Sequence, residues 1–162
     1  VTTLISDSGV TRYRVNTEEW MMYDRKKPSY WAFEKGVYME QFDSIFNVEA
    51  SIKADTAYYY DKERLWKLIG NVDIQNRKGE RFNTELLYWN EATQKVYSDK
   101  FIRIQQPDRI ITGHGFDSNQ QMTIYTIRNI EGIFYVDEEA SGGPPQPETK
   151  ALPDSVNKDT AK

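Results

Sequence analysis

From Leu65 to Ile74 the chain alternates between apolar and polar side chains. Trp66, Leu68, Gly70, Val72 and Ile74 fall on one face of an extended backbone; Lys67, Asn71, Asp73 and Gln75 fall on the other, with Ile69 the exception. Period-two alternation with a polar second face predicts a strand in an antiparallel sheet covered on one side. A helix would crowd Lys67 and Asn71 beside Leu68 and Val72. The pattern is then repeated. Ala54–Tyr60, a turn at Asp61–Arg64 and Leu65–Ile74 match Asn83–Trp89, a turn at Asn90–Thr93 and Lys95–Ile104. Laid together with one gap, Tyr59 meets Tyr88, Asp61 meets Asn90, and Val72-Asp-Ile74 meets Ile102-Arg-Ile104. An offset of roughly thirty residues is that of a repeated supersecondary unit.

The rest of the chain follows the same rule. Thr11, Tyr13 and Val15 alternate with arginines as a first strand, after a lead over residues 1–10 that is expected to be loosely ordered. Glu18–Tyr23 leans to strand, and Asp24–Ser29 is a charged turn closed by Pro28, which cannot serve in a central ladder. Tyr30–Gly36 and Val37–Phe42 are expected to pair, and Phe46, Val48, Ala50 and Ile52 alternate again. Asn76–Glu80 suits a type I turn. Ile110–Phe116 carries Gly113 and Gly115, and glycine inside a strand marks a bulge, a bend or a close approach to the backbone. Asp117–Gln120 is a turn, and Met122–Ile127 and Ile133–Val136 are the last strands. Residues 140–147 hold three prolines and two glycines, and the remainder to Lys162 has almost no large apolar side chain, so residues 140–162 are expected to be a disordered tail and residues 11–139 one β-domain.

Composition sharpens this picture. Aromatic residues are 14% of the chain, with 11 Tyr and 4 Trp, a bias that suits pleated, half-buried surfaces. The net charge of −4 with both signs interspersed leaves no basic face for nucleic acid. Without cysteine there is no disulfide, thiolate nucleophile or thiolate metal site. His114, the single histidine, has no matching partner in the sequence for a metal or a catalytic pair. Glu18/Glu19 and Glu138/Glu139 are adjacent, and strand neighbours point to opposite faces, so they do not make a facing carboxylate pair. No phosphate loop or nucleophile elbow is present, and the expectation is no enzyme, no metal and no cofactor. The chain begins at Val1 rather than Met, which suggests processing and a targeting segment upstream.

The order of these pieces resembles the LptC family of the lipopolysaccharide transport bridge, and more loosely its LptA and OstA relatives. The residues that carry the likeness are Tyr13-Arg14-Val15, Ala54-Asp55 followed by Tyr59, Leu68-x-Gly70-x-Val72-x-Ile74, Thr84-Glu85-Leu86, and Ile111-Thr-Gly113-x-Gly115-Phe116. The resemblance implies an all-β fold: a single twisted, slightly open antiparallel β-jellyroll. It further implies a periplasmic protein tethered to the inner membrane by an N-terminal segment that this chain lacks. Such a protein takes lipopolysaccharide acyl chains from an inner-membrane ABC transporter and passes them to an LptA-like jellyroll. Open strand edges dock the neighbours and leave edge-to-edge self-association open. Val72, Ile74, Leu86, Tyr88, Ile102, Ile104, Ile111, Phe116, Ile124 and Phe134 form the expected inward-facing set, as dry core or as lipid contacts. Gly113 and Gly115 are either a strand bulge or, as the resemblance implies for Gly113, a close approach needed for bridge assembly. A second function remains: a carbohydrate-binding jellyroll with Tyr58, Tyr59, Tyr60, Trp31 and Trp89 as a stacking platform. It predicts coplanar exposed aromatics over a packed interior, whereas a carrier predicts a slot between its sheet halves.

Overall fold

The computed structural model describes residues 1–7 and 10–136, and the expected 140–162 tail lies outside the described residues. Every element is a strand. In chain order they are β1 (Thr2–Asp7), β2 (Val10–Thr17), β3 (Met21–Tyr23), β4 (Tyr30–Phe33), β5 (Val37–Phe42) and β6 (Val48–Ala54). Then follow β7 (Thr56–Tyr60), β8 (Leu65–Asn76), β9 (Arg81–Asn90), β10 (Lys95–Gln105), β11 (Arg109–Asn119) and β12 (Tyr125–Tyr135). All belong to one 12-stranded sheet in the order β1-β2-β5-β6-β8-β9-β10-β11-β12, with β3-β4-β7 joining through β8. Each pairing is antiparallel.

The register shows how one sheet makes a core. β6 lies along the second half of β8 (Ile52↔Ile74) and β7 along its first half (Tyr59↔Trp66). β6 and β7 are thus one long strand broken at Asp55. β4 and β5 are likewise one strand broken at Glu34–Gly36, and β2 and β3 one strand broken at Glu18–Trp20. The later strands run on but shift register at the same level, between Ile69 and Val72, Ser98 and Phe101, and Thr112 and Gly113. A bulge bends its strand, and bulges aligned across neighbours bend the whole sheet. The result is a crease. It divides the sheet into leaf A, holding β1, β2, β5 and β6, and leaf B, holding β3, β4 and β7, while β8–β12 run through both. Gly70 and Asn71 on the crease adopt left-handed backbone (φ 85° and 48°), where a glycine costs least.

Bulging leaves backbone groups without ladder partners, and short hydroxyl side chains take them up. Thr84 Oγ1 donates to the Phe101 carbonyl (2.7 Å), Ser98 Oγ to that of Leu86 (2.6 Å), and Thr17 Oγ1 to that of Gly36 (2.7 Å). The two leaves close on one core that includes Phe33, Trp66, Leu68, Phe82, Leu87 and Phe116.

Three expectations are corrected. Thr2–Asp7, expected to be loose, is a strand paired with β2. Tyr30–Phe33 and Val37–Phe42 do not pair with each other, because Gly36 carries the chain onward from leaf B to leaf A instead of reversing it. Finally, the two repeat units match without a gap. Arg64 and Gln94 close their turns with the same left-handed backbone (φ 55° and 59°), so Tyr59 corresponds to Trp89, not Tyr88.

Candidate functional site

The sheet can offer a guest its interior, the mouth where the leaves meet, or its outer face. Of the expected inward set, Val72, Ile74, Ile102, Ile104 and Phe116 come together in the core, each fully buried. Ile111 lies beside Ile104 in register and is half-buried. The other four lie elsewhere. Leu86 and Tyr88 point to the outer face, where Tyr88 stacks on Tyr97 (5.4 Å), and Leu87 and Trp89 take the interior. Phe134 pairs with Ile110 on the outer row, and Ile133 shares the row of Ile104 and Ile111. Ile124 sits in the loop before β12, 77% exposed. A one-residue slip in parity moves a whole strand's side chains to the other face, and that is the error at β9 and β12.

The interior is full. Between the leaves lies an apolar crevice of about 10 Å³ edged by Tyr13, Met39, Ile52 and Trp89, too small for one hydrocarbon chain at rest. Two larger concavities of about 730 Å³ each lie elsewhere, one beside Tyr97, Ile124 and Tyr125 and one on the outer face beside the crease. The one beside the crease carries Asp55, Asp73, Glu85, Lys100 and Arg103 around Val72 and Phe101, so charged groups ring its apolar floor.

The mouth is stitched at one end. Met122, buried in the loop between β11 and β12 with a left-handed backbone (φ 62°), caps the core. Its carbonyl accepts Asn76 Nδ2 from leaf A (2.8 Å). Tyr125 Oη, from leaf B, accepts Gln106 Nε2 (2.6 Å) and donates to Glu80 Oε2 (3.1 Å). The alternation of Met122, Ile124 and Thr126 predicts a strand from residue 122, whereas Met122 lies in the loop and β12 runs unbroken from Tyr125 to Tyr135 in place of the two short strands expected.

Buried polar chemistry centres on Glu91. Its carboxylate accepts Tyr59 Oη (2.9 Å) and Trp66 Nε1 (3.0 Å), and its backbone N–H donates to the Arg64 carbonyl (2.9 Å), tying the turns of the two repeat units. Burial, reinforced by the Glu91 charge, pushes the Tyr59 phenol well above its ordinary pKa. Nothing nucleophilic faces this carboxylate. It is a structural tie.

On the outer face of leaf B, Tyr23 stacks on Tyr30 (4.9 Å), and Tyr58 meets Tyr30 edge-on (5.9 Å). Trp89 is buried and Tyr59 and Trp31 pack against the core, so the five aromatics of the sugar platform do not share a face. The packed interior is what a sugar module predicts; the absent coplanar platform is what it does not. Tyr58 Oη donates to Glu34 Oε2 (2.8 Å), and that bond, with burial and the Glu34 charge, pushes the phenol from 10.0 up to about 12. The folded state therefore holds this proton where the unfolded chain releases it. The stabilisation is complete below pH 10.0 and is lost as pH rises to about 12. Tyr58→Phe should flatten that alkaline fall in denaturant-unfolding free energy measured across the window; an unchanged slope would refute the assignment.

His114 lies on the outer face, with Nδ1 against the Glu131 carboxylate and its ring edge-on to Phe101 (5.6 Å). Among the described residues no group of three or more His, Asp or Glu gathers to hold a metal, and no helix is long and apolar enough to cross a membrane. A Cβ on Gly113 would lie 2.4 Å from the Asn129 carbonyl oxygen of β12, so this glycine lets the last strand approach. Gly115 has φ 86° and lies under Arg128, which bonds Asp117 and Asp99. Among known proteins, the family model for LptC, described as "Lipopolysaccharide-assembly, LptC-related", matches residues 1–132. No curated protein matches the chain.

Proposed function

The chain belongs to the LptC-related family of periplasmic lipopolysaccharide-transport proteins, and from that premise we propose that it carries lipopolysaccharide by its acyl chains between leaves A and B. It receives them from the inner-membrane ABC transporter and hands them to an LptA-like jellyroll. The observation that carries this reading is a continuous oily interior held between two leaves of one unclosed sheet. Transfer of a lipid chain from water to such an interior is favourable by about 0.8 kcal/mol per methylene, so acyl chains need no polar anchor there. The resting interior is full, so loading parts the leaves.

β1 and β12 stand at the two ends of the strand order. Exposed edges are normally suppressed as aggregation templates. Here they are the coupling surfaces, each adding a neighbour's strand by main-chain hydrogen bonds. Leu4 on β1 is 56% exposed and Ile130 on β12 is 58% exposed, apolar positions suited to cover by a partner. Gly113 serves assembly through β12, since it seats the strand that docks. An N-terminal inner-membrane tether completes the arrangement.

The test is photocrosslinking in cells from a benzoyl-phenylalanine at Phe116 or Ile104, with the outward-facing Phe101 as control. Lipopolysaccharide adducts are expected at the two interior positions and not at Phe101. Interior positions without adducts, in variants that fold and sustain export, would overturn the carrier reading.

A further inference from the structure

The loop between β5 and β6 ends in a tip that holds apolar side chains out in water. Ile45 is 75% exposed, Phe46 55% and Val48 44%. The alternation of Val48, Ala50 and Ile52 would carry Phe46 into the strand, yet β6 begins at Val48 and Phe46 stands in the loop. Its backbone is left-handed (φ 67°), a conformation that asparagine accepts and a bulky aromatic residue rarely adopts.

The tip is firmly built. Asp43 Oδ1 accepts the backbone N–H groups of Asn47 (2.8 Å) and Ile45 (3.0 Å). The Asp43 N–H donates to the Asn47 carbonyl (2.8 Å), and the Phe46 N–H to the Asp43 carbonyl (3.1 Å). Arg77, on the turn between β8 and β9, reaches Asp43 (3.3 Å) and Glu49 (3.5 Å). The Phe46 ring stacks on Phe42 (4.3 Å). Backbone strain persists where the surroundings enforce it, and such positions cluster at sites of function.

A protein partner is a poor cover for this tip. Three side chains fall well short of the roughly 800 Å² per partner that a specific protein interface buries. They also stand clear of the neighbouring hollow, which Phe42, Asp43, Ser44 and Glu49 help to line, so the tip projects. A lipid surface asks for neither area nor matching shape. Apolar groups enter the acyl boundary while charged neighbours stay among the headgroups. The neighbours fit that division. Asp43 and Glu49 are both paired with Arg77, which offsets their repulsion of a phosphate-bearing surface, and Lys78 is exposed on the same turn.

We propose that this tip dips into the surface of a phospholipid bilayer, with Ile45 and Phe46 entering it, and so fixes how the domain stands on the membrane. Two side chains are too weak an anchor alone, so the contact acts beside a second attachment such as the tether. It does not depend on where lipopolysaccharide travels.

The chain has no cysteine, so one introduced thiol carries a probe cleanly. Ser44→Cys at the exposed tip, and Lys100→Cys at the exposed crease as control, are labelled with a polarity-sensitive nitrobenzoxadiazole dye. Each whole chain is held by an N-terminal hexahistidine on phosphatidylcholine–phosphatidylglycerol vesicles that contain a nickel-chelating lipid. The Ser44 probe should shift to the blue and be quenched by brominated acyl chains; the Lys100 probe should do neither. Phe46→Asn, added to the Ser44→Cys chain, should lower the ratio of inserted to free tips roughly tenfold. Its unfolding midpoint should hold or rise, since asparagine tolerates the left-handed backbone. Ile45→Ser, at a side chain already 75% exposed, should lower the ratio several-fold without touching the fold. A Ser44 probe that stays in water, or responds no more than the Lys100 probe, would overturn the proposal. So would insertion unchanged in Ile45→Ser and Phe46→Asn. Neither result bears on crosslinking from the interior, so the carrier reading stands or falls separately.

Discussion

Gly113→Ala is expected to unseat the last strand. The new Cβ would lie 2.4 Å from the Asn129 carbonyl oxygen and 2.6 Å from Ile127 Cγ2, both on β12. The first is backbone and cannot rotate away, so the strand itself must shift. Overpacking of this kind costs on the order of 3 kcal/mol, and Gly113→Arg should cost more. The loss should concentrate in β12, whose amides should lose hydrogen-exchange protection while those of β8 and β9 keep it. On the proposed reading, in which this strand is the docking edge, capture of an LptA-like partner should fall with it. Wild-type protection of β12 in Gly113→Ala, with a wild-type unfolding midpoint, would refute the close-approach account.

Glu91→Ala should destabilise the whole sheet. It strands two buried donors, Tyr59 Oη and Trp66 Nε1, that now point at one carboxylate. Leaving a buried donor unsatisfied costs about 1–3 kcal/mol, and two together make a loss of roughly 3 kcal/mol reasonable. Glu91→Gln keeps one acceptor oxygen and should lose about half as much. Urea unfolding of the three proteins measures this directly. A change in Glu91→Ala below about 0.5 kcal/mol, the scale of an ordinary surface substitution, would show that the tie is not structural.

How much of this was legible in the sequence depended on whether polar residues marked the parity. Val72-Asp-Ile74 and Ile102-Arg-Ile104 carry their own alternation, and both pairs lie in the core as their pattern implies. Leu86-Leu-Tyr-Trp89 is apolar throughout and carries none, so its facing had to be borrowed from the repeat alignment. The single gap in that alignment exchanged inside for outside. The bulges themselves were half-visible. Gly113 and Gly115 announced a bend, whereas Ser98–Phe101 shifts register without any glycine. Gly36 looked like a hairpin turn because a left-handed glycine serves a reversal and a kink equally well, and only tertiary pairing decides between them. The jellyroll came through family likeness. The crevice and the Met122 cap did not, since each is assembled from strands and loops distant in the chain.

The crease has a mechanical consequence. Because β8 to β12 each pass through it unbroken, the leaves are joined like the covers of a book by many continuous threads. Admitting a guest can then be a small rotation about the spine, spread over many backbone dihedrals, with the ladders on either cover left intact. On the proposed carrier reading, filling and emptying then spare the ladders, and their cost falls on side-chain packing and on the Asn76–Met122 and Tyr125 hydrogen bonds at the fore-edge.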